Sequence, residues 1–130
     1  MNKVANILNF IKEDLYKNQK SRNCVQFFQK SLLHFSISLE IGFGSYSKKY
    51  LSYEKLCESI PKKFGSRSTI QAILNDAVEE GYFLKEIHNL DRRIKIYRYS
   101  SDFSNAVEKW LDNSASEIFK FNNFNFINYI

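Results

Sequence analysis

Metal ligands, reactive thiols and long apolar runs are all scarce in this chain. Its two cysteines, Cys24 and Cys57, lie far apart, and neither belongs to a CxxC pair or to a cysteine and histidine cluster. We therefore expect reduced thiols and no metal or other cofactor. The first twenty residues lack the continuous apolar stretch of a signal peptide or a membrane span. This pattern predicts a cytoplasmic protein that does not contact membranes.

Candidate catalytic groups are equally sparse. His34 and His88 are isolated from any acid, nucleophile or metal-spaced companion in the sequence. Because general acid, general base and nucleophilic catalysis all need such partners, we predict no catalytic residues and no enzyme activity.

The composition is that of an ordinary globular protein. Hydrophobic residues make up 44% and charged residues 25%, which argues against disorder, and 130 residues suit a single domain over 1–130. The formal net charge of +5 favours a polyanionic partner, although it equally fits a solvated basic surface. Position along the chain has to decide between these two interpretations.

Apolar periodicity predicts helices on both sides of a central segment. Residues 2–18 carry apolar side chains at helical spacing. A second helix is expected from Cys24 to about Leu39, with Val25, Phe28, Leu32, Phe35 and Leu39 on one side, although residues 35–43 also alternate like a strand. We favour the helix because glycine first appears at Gly42 and Gly44.

The central segment, about residues 45–100, is predicted to form a helix, a turn, a second helix and a hairpin. Ser52 caps a short helix that Pro61 ends, KKFG forms the turn, and Ser66 and Gly81 bound the clearest helix of the chain. YFLKEIH and IKIYRYS then form a hairpin around NLDRR. This order predicts a mainly α fold with a small antiparallel β-hairpin, the winged helix-turn-helix.

A final helix is expected over about residues 102–121, capped by Ser101 or Asp102. Its stripe includes Phe103, Trp110 and Phe119. Aromatic stripes at helical spacing are more typical of a core or a dimer interface than of a ligand cage, so we predict that helices 2–20 and 102–121 form a homodimer. The alternating Phe and Asn residues of the tail FKFNNFNFINYI receive no chemical role.

The outward face of the helix after Ser66 is chemically suited to a DNA groove. Once Ile70, Ile73, Leu74, Ala77 and Val78 face inward, its first turns expose side chains that can bond base edges. The predicted base-reading residues are Arg67, Ser68, Thr69, Gln71 and Asn75. Lys62 and Lys63 in the turn would hold phosphate, and Arg92 and Arg93 would act from the wing.

Three segments in order resemble the winged helix of the MarR family. They are LSYEKLCESI, GSRSTIQAILNDAVEEGYF and DRRIKIYRYS, about 50 residues in all. The resemblance implies that Asp91 braces the wing, that Arg93 reaches the minor groove, and that the first and last helices interlock as a dimer. It also raises a redox role for Cys24, since some relatives sense peroxide, but an inert buried thiol is favoured because no activating partner is visible.

These observations predict a sequence-specific regulator of transcription that binds double-stranded DNA as a dimeric repressor. Its two recognition helices would enter successive major grooves about 34 Å apart. The alternative is a winged helix that contacts another protein and not DNA. A small-molecule effector would fit a cleft between the dimerising helices and the DNA-binding lobe, but its identity is open.

Overall fold

A computed structural model describes the backbone of residues 2–129 and the side chains of residues 2–120. Over this part of the chain the elements are α1 (Lys3–Gln19), α2 (Cys24–Phe28), α3 (Leu32–Ser47), β1 (Leu51–Ser52), α4 (Tyr53–Ser59), α5 (Arg67–Glu79), β2 (Phe83–Ile87), β3 (Lys95–Tyr99) and α6 (Ser101–Tyr129). None of the helices within this part is long and apolar enough to cross a membrane.

The fold is mainly helical with one small antiparallel sheet, which confirms the predicted winged helix-turn-helix. Helices α4 and α5 are followed directly by the β2–β3 hairpin, in which Phe83 lies opposite Tyr99. The sheet has the order β1-β3-β2, because β1 adds a third strand beside β3. Strand β1 was not predicted, since a strand of two residues has no periodicity of its own.

The prediction of one helix from Cys24 to Leu39 was wrong, and so was the alternative strand. The chain breaks after Phe28, and α3 begins afresh with Ser31 as its cap, whose Oγ accepts a hydrogen bond from the His34 backbone N–H at 3.1 Å. The new helix has a different phase. Its buried side chains include Leu33 and Ile37, and the residues predicted to face inward, Leu32, Phe35 and Leu39, are exposed.

Helix α3 also continues past the two glycines that were expected to lie in a loop. Gly42 is there for close packing, because a Cβ at this position would lie 2.3 Å from the Tyr99 Oη atom. The helix ends instead at Lys48, which adopts the left-handed conformation with φ 58°. Gly42 therefore lies where α3 packs closely against Tyr99, and it does not end the helix.

The core joins the helix-turn-helix to the helices around it. Its largest fully buried side chains include Phe83, Phe103, Ile37, Leu56 and Leu74, which come from strand and helices alike. The ring centroids of Tyr99 and Phe103 lie 4.6 Å apart in an edge-to-face arrangement, a geometry that stabilises aromatic pairs beyond their buried area. This core fixes α4, α5 and the hairpin relative to one another.

Helices α1 and α6 lie against each other at the edge of this core. Trp110 Nε1 donates a hydrogen bond to Asp14 Oδ2 at 3.0 Å, which links the two helices. Helix α6 is capped one residue before the predicted cap, because Ser100 Oγ accepts from the Phe103 backbone N–H at 3.1 Å. The side chains of the tail after residue 120 lie outside the described residues.

Candidate DNA-binding surface

Local capping sets the geometry of the helix-turn-helix. Ser52 Oγ accepts from the Lys55 backbone N–H and starts α4, and Ser66 Oγ accepts from the Thr69 backbone N–H and starts α5. Between them, Pro61 precedes a single 3-10 turn at Lys62–Phe64. Lys62 and Lys63 are exposed on this turn, beside the N-terminus of α5. Their contact with phosphate stays a prediction.

Helix α5 buries the predicted stripe and exposes the predicted polar face. Ile70, Ile73, Leu74 and Ala77 are buried, and Val78 is half-buried. On the other side Arg67, Ser68, Thr69 and Asn75 are exposed, and Gln71 is half-buried. The hydroxyl groups of Ser68 and Thr69 lie 3.1 and 2.8 Å from Ser66 Oγ. The base contacts themselves stay a prediction.

One row of the exposed face consists of Arg67, Gln71 and Asn75, each four residues after the last. Gln71 Nε2 donates a hydrogen bond to Asn75 Oδ1 at 3.1 Å. The two amide side chains are thus bonded to each other on the surface of the helix.

The first residue of this row, Arg67, is bound by α4. Its Nη2 lies 2.6 Å from both Oε1 and Oε2 of Glu54, and its guanidinium stands 5.3 Å from the centre of the Tyr53 ring. The hydrogen bonds that Arg67 donates to Glu54 raise the pKa of Arg67, so the cation is held in place and stays charged. Sequence reasoning did not identify Glu54 or Tyr53, because their proximity to Arg67 depends on how α4 packs against α5.

The wing tip is organised by Asp91. Its carboxylate accepts from the backbone N–H of Arg93 at 3.0 Å, and from Arg93 Nε and Nη2 at 3.1 and 3.0 Å. These bonds, led by the side-chain contribution, hold the pKa of the Asp91 carboxyl below its ordinary value. The Arg93 side chain is 90% exposed despite this contact, and Arg92 beside it is exposed as well. Two arginines therefore project from the tip of the hairpin.

Helix α4 and the wing line a groove of about 410 Å³, and Gln71 is the residue of α5 that reaches it. Lys55 and Glu58 line it from α4, and Lys85, Arg93 and Lys95 line it from the wing. Lys85 Nζ stands 5.9 Å from the centre of the Tyr97 ring, directly across the sheet. Lys85 and Lys95 were not among the predicted site residues. They share a face because of the strand register, in which Lys85 pairs with Tyr97, two residues after Lys95, and a single strand does not reveal this. The groove thus joins α4, the wing and Gln71 of α5 in one surface.

Other polar sites offer less. Burial raises the pKa of the Cys24 thiol, which opposes the thiolate that a redox switch needs. Within residues 2–120, no group of three His, Cys, Asp or Glu side chains is placed to hold a metal. An apolar groove of about 310 Å³ lies between α3 and α6, lined by Phe35, Tyr99 and Trp110 among others. The effector cleft stays a prediction.

No model of a known protein family and no curated protein matches the chain. Among solved structures, the chain is similar to the adhesin competence repressor (AdcR) from Streptococcus pyogenes, with 15% sequence identity and a TM-score of 0.39 over 98% of this chain and 92% of that chain.

Proposed function

We propose that this protein is a sequence-specific regulator of transcription that binds double-stranded DNA, of the type that the MarR family represents. The observation that carries the proposal is the groove in which α4, the wing and Gln71 of α5 present polar and basic side chains to the same side of the molecule. Four cations line this groove, namely Lys55, Lys85, Arg93 and Lys95, against two anions, Glu54 and Glu58. Such a surface complements a phosphate backbone.

In this proposal α5 lies in the major groove and the wing contacts the neighbouring minor groove. Ser68, Thr69, Gln71 and Asn75 face base edges, together with the N–H groups of Arg67 that Glu54 does not bind. Lys62 and Lys63 contact phosphate, and Arg92 and Arg93 extend from the tip that Asp91 braces. The acidic residues of α5, which are Asp76, Glu79 and Glu80, lie toward its far end, and Glu80 is paired with Arg22.

The active form in this proposal is a homodimer formed by α1 and α6. The described part of one chain leaves large apolar side chains on both helices in solvent, including Leu8 and Ile11 on α1 and Leu111 and Phe119 on α6. Covering them with a second copy would place two α5 helices on successive major grooves, about 34 Å apart. In this proposal the dimer covers a promoter and blocks the access of RNA polymerase. The protein is then a repressor that acts in the cytoplasm.

Titration of the full chain with genomic duplex fragments at two salt concentrations tests DNA binding. We expect some fragments to bind at least about a thousand-fold more tightly than random duplex, and the affinity to fall as salt rises. Equal affinity for all fragments at both salt concentrations would contradict the proposal.

The double variant R67A/R93A separates DNA binding from a role in protein contact. We expect it to lose fragment binding and to keep the mass of the wild-type assembly in sedimentation. K30A is the control, because it removes an exposed cation in the loop between α2 and α3, outside the groove and outside helices α1 and α6. Unchanged duplex affinity in R67A/R93A, together with loss of a protein partner, would favour the winged helix as a protein-interaction module.

A further inference from the structure

The bonded amides of Gln71 and Asn75 form a feature with its own chemistry. They stand one turn apart on the exposed row of α5, and Gln71 Nε2 donates to Asn75 Oδ1 at 3.1 Å. Gln71 also reaches the groove between α4 and the wing. The pair therefore lies where the edge of a base would meet the recognition helix.

A bonded pair of primary amides has a fixed hydrogen-bonding inventory. Each amide carries one oxygen, which can accept two hydrogen bonds, and one NH2 group, which can donate two. Their mutual bond uses one N–H of Gln71 and one acceptor site of the Asn75 oxygen, so the Gln71 oxygen and the Asn75 NH2 are the two groups that it leaves untouched. Exchanging oxygen and nitrogen in both amides leaves one oxygen and one NH2 group untouched again. The pair thus presents one fully available acceptor group and one fully available donor group, whichever way the amides are turned.

Adenine is the base whose major-groove edge carries a donor and an acceptor side by side, N6–H and N7. Guanine presents two acceptors there, cytosine a donor, and thymine an acceptor beside a methyl group. Arg67, the residue of the row best suited to guanine, has its Nη2 bonded to Glu54 on α4. Arg67 is therefore bonded to α4, and the two amides are bonded to each other.

We infer that Gln71 and Asn75 together recognise one adenine in each half of the DNA site. This inference rests on the proposed function and adds the identity of a base to it. The amides hold each other in the receptive arrangement before DNA arrives, so neither has to give up a free rotamer when it binds the base.

Selection of bound duplexes from a random library, using the full wild-type chain, first defines the preferred site. Each adenine of that site is then replaced in turn by 7-deazaadenine, which lacks the N7 acceptor. We expect one adenine per half-site at which this replacement weakens wild-type binding by about 5- to 150-fold. The double variant Q71A/N75A should bind the two duplexes equally and should select sites with no preference at that position.

N105A is the matched control, since it removes an exposed asparagine amide from α6, and it should keep the wild-type adenine preference. The inference is overturned if Q71A/N75A keeps the same sensitivity to 7-deazaadenine, if the preference it loses is for guanine, or if it loses none. These outcomes would reduce the amide bond to a contact on the helix surface. A wild-type chain that selects no site at all would instead overturn the proposed function itself.

Discussion

Helices α5 and α1 carry similar apolar stripes, but the stripe of α5 is buried and that of α1 is exposed. On α5, Ile70 and Leu74 are 3% and 0% exposed, whereas on α1, Leu8 and Ile11 are 61% and 52% exposed. The same periodicity predicted both helices, and both formed. An apolar stripe thus specifies a helix that needs a partner surface, but it does not specify whether that surface belongs to the same chain. The winged segment finds its partner within the chain, and α1 leaves most of its stripe uncovered.

The largest effect should come from the core of the winged segment. Phe83 is fully buried and packs its ring against Phe27, Tyr99 and Phe103. We expect F83A to lower the free energy of unfolding by about 3–5 kcal/mol, measured by urea denaturation. The control is L90A, because Leu90 at the wing tip is 91% exposed and should change stability by less than about 0.5 kcal/mol. Similar losses of unfolding free energy in F83A and L90A would contradict the contrast between buried and exposed apolar side chains.

A smaller loss is expected where α3 meets the wing. In G42A the new Cβ would lie 2.3 Å from Tyr99 Oη, so the ring must shift and stability should fall by about 1–3 kcal/mol. Because the nearest clashing atom is the hydroxyl, G42A should cost less in a Y99F background. A double-mutant cycle measures this coupling, and strict additivity of the two changes would show that the hydroxyl takes no part in the clash.

The Tyr99 hydroxyl should contribute a loss of about 0.5–1.5 kcal/mol by itself. It donates a hydrogen bond to the Ser38 carbonyl oxygen, and burial raises its pKa above the ordinary value. A raised folded-state pKa means that the contribution is complete below about pH 10 and is lost as the pH rises above that value. Unfolding curves at pH 7 and pH 10.5 should therefore show a steeper decline for the wild type than for Y99F. Parallel declines would contradict this role.

The smallest effect on the unfolding of a single chain should come from the exposed face of α1. L8E should alter that free energy by less than about 0.5 kcal/mol, because Leu8 is already in solvent. It should nevertheless halve the mass in sedimentation and weaken DNA binding if α1 pairs with a second copy. N9E places the same charge one residue away, on another exposed position of α1, and should leave the assembly intact. Equal behaviour of the two variants would place the dimer contact elsewhere.

The elements that could be predicted are those whose causes are local. The caps Ser52 and Ser66, the breaker Pro61 and the five-residue stripe of α5 lie within a few positions of what they determine, so α4, the turn and α5 were found nearly to the residue. The wing followed from turn residues between two apolar runs. The polar face of α5 was then deduced from the stripe that it opposes.

The features that were missed depend on contacts between distant segments. Gly42 lies within a helix and leaves room for Tyr99, which is far along the chain. The break between α2 and α3 coincides with the cap at Ser31, although the apolar pattern continues across it. Glu54 meets Arg67 across the crossing of two helices. No periodicity within a single segment encodes these distances, which is why the surroundings of Arg67 emerged only from the three-dimensional arrangement.

The two ends of the wing are held with unequal stiffness. At its base, β3 is fastened to α3 twice, through the Tyr99 backbone N–H on Ser45 Oγ at 2.9 Å and through the Tyr99 hydroxyl on the Ser38 carbonyl. At the tip the bonds are local: the Asp91 carboxylate binds Arg93, and the Asp91 carbonyl accepts from the Ile94 backbone N–H at 3.0 Å. The hairpin is therefore held more firmly at its base than at its tip. In the proposed DNA complex, the arginines at the tip could adjust to minor grooves of different width while the base of the wing keeps its position beside α5.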